Sequence, residues 1–156
     1  MAFARDDTGI RADLDALASQ VHPVFMLPPV AASAFGAVIA GRIAPASLLL
    51  HAAATFFAVY TAHVKDGYID FYGRGEDDDH PLTVAGCRLG LVAAGGGFAG
   101  CLAGLWLLSG AGAAALTLPL WLLGYLHAPY LDTNPVTTTG GYPLGNALAL
   151  VGAAYA

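Results

Sequence analysis

Asp66 and Asp70 stand four residues apart at the polar end of a long apolar run. On a helix that spacing puts both carboxylates on one face. Carboxylates at the end of a membrane helix are costly to desolvate and are usually kept for ions or substrates. A pair so placed suits a hard divalent cation, which takes oxygen ligands and often sits between carboxylates and a substrate phosphate. Glu76, Asp77, Asp78 and Asp79 follow, so Asp66–His80 holds six of the chain's eleven acidic residues in fifteen positions. Glu76 and Asp77 are candidates for further metal ligands, although such a run also reads as a solvated loop. Lys65 and Arg74 flank the carboxylates. Carboxylates mixed with cations fit a metal-bridged diphosphate better than a bare cation store.

The residues before the pair extend the pattern. At about 100° per residue, His51, Thr55, His63, Asp66 and Asp70 share one sector of a helix. A polar stripe leading to an acidic mouth predicts a cavity lining, with His63 on the border of the site. The alternative for His51 and His63 is hydrogen bonding between helices. Tyr130, Asp132 and Asn134 lie in a second polar stretch and either border the site or form a turn around Asn134-Pro135.

Positioning such groups falls to elements that belong in a membrane. The 156 residues are 57% hydrophobic and only 11% charged, with a mean hydropathy of +0.64; soluble domains are about 25% charged. A net charge of −5 and six scattered basic residues argue against nucleic acid as a partner. Residues 1–23 read as a cytoplasmic lead-in. There Leu14, Leu17 and Val21 give a short helix its apolar face, and residues 24–156 form the membrane domain.

Four apolar stretches qualify as spans: about Val24 to Ala40, Pro45 to Val64, Val84 to Leu108, and Ala111 to Tyr130. A bilayer core of ~30 Å needs ~20 helical residues. A fifth stretch begins near Leu144 and reaches Ala156 after thirteen residues, too few to span, which suggests a larger protein cut short. The fold class expected is an all-α, polytopic membrane helix bundle of four complete spans and the start of a fifth. Basic residues set its orientation in the cell membrane. A cytoplasmic N-terminus puts Arg5, Arg11, Lys65, Arg74 and Arg88 inside and only Arg42 outside. The third stretch carries Gly86, Gly90, Gly96, Gly100 and Gly104, a spacing that predicts close helix packing. Cys87 and Cys101 share that helix about 21 Å apart, too far to pair. Trp106 and Trp121 read as interface anchors or packing.

The stretch Asp66-Gly-Tyr-Ile-Asp70, at the cytoplasmic end of the second span, resembles the first aspartate-rich motif of the UbiA superfamily of intramembrane prenyltransferases. Asp66 stands where the family has Asn, and Glu76 or Asp77 takes the place of its third acid. Gly75-Glu-Asp-Asp-Asp-His-Pro-Leu-Thr83 is similar to the family's loop into its third helix. Tyr130 through Gly145 is similar to its connection between helices four and five. His22-Pro23 resembles the Arg-Pro that precedes its first helix, with His for Arg. The resemblance covers nearly all of this chain, but only the first half of an architecture of about nine helices. The family's second acidic motif has no counterpart here.

The resemblance implies Mg2+ held by Asp66, Asp70, Glu76 and Asp77, with Asp66 and Asp70 catalytic. Lys65 and Arg74 would contact the diphosphate. The reaction implied is transfer of a polyprenyl group from its diphosphate to a lipophilic acceptor, among membrane lipids; the 156-residue chain alone is expected to be inactive. A second family, the CDP-alcohol phosphotransferases, begins its motif with Asp-Gly, as Asp66-Gly67 does, but its Ala-Arg and later spacing are absent. The alternative of a different class is a small non-catalytic membrane protein whose acidic loop binds a cation or a partner.

Overall fold

A computed structural model describes residues 2–156. Among them the chain forms six α-helices and no strand: α1 Ile10–Ala18, α2 Pro23–Ile39, α3 Pro45–Tyr68, α4 Val84–Ser109, α5 Ala111–Leu126 and α6 Pro135–Tyr155. A turn of π-helix prolongs α3 through Ile69–Arg74, and another prolongs α5 through His127–Leu131. Proline opens α2, α3 and α6, where its missing N–H costs nothing because first-turn donors have no partner within the helix. The Thr83 hydroxyl accepts from Gly86 N–H at 3.1 Å to start α4. Gly110, at φ 89°, is the whole connection between α4 and α5; only glycine takes that conformation readily.

Three helices are long and apolar enough to cross a membrane: α3 with its π turn (30 residues), α4 (26) and α5 with its π turn (21). The pair α1–α2, bent by 67°, is a fourth if taken as one broken span. Phe35, Val38, Ile39, Leu49, Val92 and Leu107 are exposed on the outside of this bundle, as lipid-facing side chains would be. α3 is central, packed on α2, α4 and α5, while α6 lies against α2 and α5. The core between them is mostly small, with Ala54, Ala58 and Ala149 around Phe98 and Leu120.

Several expectations are corrected. The fifth segment starts at Pro135, not Leu144, and runs 21 residues straight through Gly140, Gly141 and Pro143. The stretch read as a connection up to Gly145 is therefore mostly helix, held by packing against α2 and α5. The glycine row of α4 divides. A Cβ at Gly86 or Gly104 would strike Phe3 O or the Leu50 side chain, whereas Gly96 and Gly100 face open space. On α1, Leu17 turns inward, but Leu14 is 60% exposed. Trp121 stacks between Phe98 and Tyr125, and Trp106 is exposed.

The upper half of the polar stripe is interhelical. His51 Nδ1 lies 3.0 Å from Ser33 Oγ on α2, and Ser33 Oγ lies 3.3 Å from Thr55 Oγ1. All three side chains are fully buried, so they tie α2 to α3 and do not line a cavity.

The N-terminal stretch of chain clips onto the loop that follows the α3 π turn. Arg5 N–H donates to Pro81 O at 2.9 Å and Thr83 N–H donates to Phe3 O at 2.8 Å. One Asp13 oxygen accepts from Phe3 and Ala4 N–H. The Arg5 guanidinium pairs with Asp79 at 3.0 Å and lies 4.4 Å over the Phe71 ring. Both contacts are partly solvated, so Arg5→Ala should cost about 1 kcal/mol in unfolding measurements. A loss several times larger would mean the backbone clip depends on this side chain.

Candidate metal centre and cavity

The last turns of α3 position the acids. Asp66 lies in the last turn of α3, and Asp70 is the second residue of the π turn. Gly75, at φ 65°, then reverses the chain so that Glu76 N–H donates to Asp70 O at 2.9 Å. A third carboxylate arrives from the neighbouring helix: Asp132, directly after the π turn of α5. Asp66, Asp70 and Asp132 each present an oxygen within 4.8 Å of the others. Three hard oxygen donors at that spacing are a fitting set for Mg2+ or a similar cation.

Arg74 already engages two of them. Its Nη1 donates to Asp132 Oδ2 at 2.6 Å and to Asp70 Oδ1 at 3.1 Å, and Nη2 donates to Asp132 Oδ1 at 3.0 Å. This fork-on-carboxylate geometry is the strong form of a charge-assisted pair. The bond from Arg74 holds the Asp132 carboxyl below the usual carboxylate range. Through it the π turn that ends α3 is tied to the end of the π turn that follows α5.

The acids open onto a cavity of about 880 Å3, near the upper end of the ~300–1,000 Å3 common for ligand sites. Its floor is apolar, with Ala58, Leu120 and Leu123, and its sides carry Asp66, Asp70 and Asp77. Four imidazoles, from His22, His63, His80 and His127, also line it. Gly67 makes room for one of them: a Cβ there would fall 2.8 Å from His80 Cε1.

His80 is buried, with Nε2 3.3 Å from Cys87 Sγ. Burial lowers its pKa, helped by Arg5 and opposed by Asp77 and Asp79. A depressed histidine contributes stability that is full above the unfolded value, near pH 6.5, and lost as pH falls through the folded value. Denaturant unfolding should therefore show a weaker protein at pH 5.5 than at pH 7.5. His80→Gln should flatten that difference, and an unchanged pH slope would exclude His80 as its source.

The other sequence candidates fall in distinct places. Asp77 reaches the cavity, but neither it nor Glu76 joins the three-carboxylate group. Lys65 is turned away from it: one position before Asp66, it points around the helix toward α5. There its ammonium donates to Tyr125 O and lies 3.6 Å over the Tyr125 ring and 5.9 Å from the Tyr130 ring. Tyr130 is otherwise exposed. Asn134 is the turn-former of the two readings, accepting Val136 N–H at 2.8 Å to cap α6. Cys87 and Cys101 are free and buried. Sequence reasoning put Asp132 only at the border of the site and missed His80 and His127. The signal for Asp132 was its position just ahead of the Asn134-Pro135 helix start. Nothing in the spacing announced the others. No family model, no curated protein and no solved structure matches the chain.

Proposed function

We propose that the chain is a membrane prenyltransferase of the UbiA type, moving a polyprenyl group from its diphosphate to a lipophilic acceptor at a magnesium-dependent site. The observation that supports this reading is the gathering of Asp66, Asp70 and Asp132 at the mouth of an apolar-floored cavity between membrane-type helices. On this reading the acidic end faces the cytoplasm, as the distribution of basic residues favours. Asp66, Asp70 and Asp132 would hold the ion, with Asp77 nearby. Magnesium, when bound, supplies positive charge against the diphosphate as the allylic C–O bond ionises. Arg74 gives its donor fork to Asp132 and Asp70, so on this reading it positions the carboxylates. Ala58, Leu120 and Leu123 would keep the prenyl chain in a dry compartment, where water cannot quench the cation.

A non-catalytic role is the second reading, and one observation favours it: Arg74 neutralises part of the cluster. The two are separated by Mn2+ titration of the purified protein in lipid nanodiscs, followed by electron paramagnetic resonance. The enzyme reading expects Mn2+ binding that Mg2+ displaces and inorganic diphosphate tightens. No cation binding by the wild type would defeat it, and binding indifferent to diphosphate would favour the second reading.

A further inference from the structure

The carbonyl of Tyr125 lacks its α-helical donor. In an α-helix it would accept from the N–H four residues on, and that residue is Pro129, which has none. Proline also drives the residue before it out of the helical region. Ala128 is accordingly extended, at φ −97° and ψ 134°, and the helix breaks there. Lys65 fills the place of the missing amide. Its ammonium reaches across from α3 and donates to Tyr125 O, which sets positive charge at the negative end of the α5 dipole. The rings of Tyr125 and Tyr130, 3.6 Å and 5.9 Å away, add their attraction for a cation.

Lys65 is costly where it stands. Only 9% of it is exposed, and no carboxylate pairs with it among the described residues. A buried cation needs partners, and these come from the end of α5 and its π turn. Beyond the break lies the third carboxylate of the cluster, since Asp132 follows Pro129 by three residues. Its downstream side is fixed by other groups. The Thr138 hydroxyl donates to Asp132 O at 2.9 Å, and the Arg74 fork grips the carboxylate. Upstream, Lys65 ties the break to α3.

We propose that Lys65 is a positioning residue for the metal centre: it replaces the amide that Pro129 lacks, and so fixes the direction in which the chain carries Asp132 to Asp66 and Asp70. Without that donor, Tyr125 O is left as an unpaired polar group, or the chain turns to find it another partner. Either way the segment from Pro129 to Asp132 loses its anchor on α3. The three carboxylate oxygens, now within 4.8 Å of one another, would then drift apart. A hard cation is sensitive to that spacing, because Mg2+ demands near-ideal octahedral geometry. Lys65 acts without entering the site, one helical step from Asp66 and on the α5 side. The inference rests on the metal reading for the ion it serves, whereas the hold on the chain needs no ion.

The test uses the full chain in phosphatidylcholine nanodiscs. Lys65→Met keeps much of the length and removes the donor, and Lys65→Arg restores one. Mn2+ affinity should fall about tenfold or more in Lys65→Met, as when groups behind metal ligands are lost, and Lys65→Arg should recover most of it. In an Asp132→Asn background Lys65→Met should weaken binding no further, because the ligand it positions is gone. Spin labels at the exposed positions Gly73 and Thr133, read with EDTA present, report the hold without any metal. Their dipolar broadening should diminish in Lys65→Met and return in Lys65→Arg. Either readout unchanged in Lys65→Met overturns the proposal, as does an equal loss of affinity with and without the Asp132 carboxylate. If Lys65→Met does not fold, Lys65→Gln, a shorter donor, takes its place with the same expectations. A wild type that binds no Mn2+ removes the metal reading, while loss of broadening in Lys65→Met still establishes the hold on Asp132.

Discussion

Gly36→Ala is expected to unseat α6 from α2. A Cβ at Gly36 would fall 2.1 Å from the Leu150 carbonyl oxygen and 3.1 Å from Ala154 N. Both are backbone atoms of a continuous helix, so no side-chain rotation relieves the clash. The helices must part, and the buried contacts of Ala32 and Ala149 loosen with them. The Ser33–His51–Thr55 hydrogen bonds lie next to the same contact, and a wetter interface competes with them. Inserted methyls in a tight core cost about 1–3 kcal/mol, occasionally more, and a backbone neighbour puts this one at about 3 kcal/mol or above. Gly96→Ala is the internal control. Its Cβ meets open space, and alanine is the better helix former by up to ~1 kcal/mol. Reversible unfolding in mixed micelles should separate the two variants by about 3 kcal/mol or more. Equal stabilities would show that α2 and α6 are not in the contact described.

The second large effect concerns Asp66→Asn. The change keeps size and removes one hard anionic oxygen donor from the three-carboxylate group. Loss of outer-shell groups alone weakens metal sites by about 10–100-fold, so loss of a ligand should weaken Mn2+ binding by about 100-fold or more. Asp66 is the cleanest choice because it shares no hydrogen bond with Arg74, whereas Asp70→Asn and Asp132→Asn also release the guanidinium. Under the proposed function, magnesium-dependent transfer of a labelled prenyl group in native membranes should fall in parallel. Transfer that survives in both Asp66→Asn and Asp70→Asn would remove these residues from the chemistry. Unchanged Mn2+ affinity in Asp66→Asn would remove the ion from this site.

The helices were legible because their signals are local. Apolar runs of the right length, opened by Pro23 and Pro45 and broken by Gly110, mark most of the boundaries of the first five helices. The shared face of Asp66 and Asp70 follows from helical spacing alone. What escaped was tertiary. Gly140, Gly141 and Pro143 read as breakers, yet α6 runs through them, packed against α2 and α5. Asp132 reaches Asp70 only after α4 and α5 have gone out and back, and no local pattern encodes that meeting. Lys65 looks like a partner of Asp66 in sequence, but one helical step sends it toward Tyr125. His51 belongs to the stripe by angle and to the α2 contact by depth. A helical wheel supplies angles but does not say which helix lies opposite each level.

The Arg74 fork has a consequence in charge balance. With all groups ionised, three carboxylates and one guanidinium leave two negative charges at the junction of the π turns that follow α3 and α5. One divalent ion brings that junction to neutrality, and a second would leave it with an excess of positive charge. The excess would need an outside anion. With Arg74 retained, the centre is therefore matched to a single divalent ion at rest, and room for a second opens only when a polyanion comes with it.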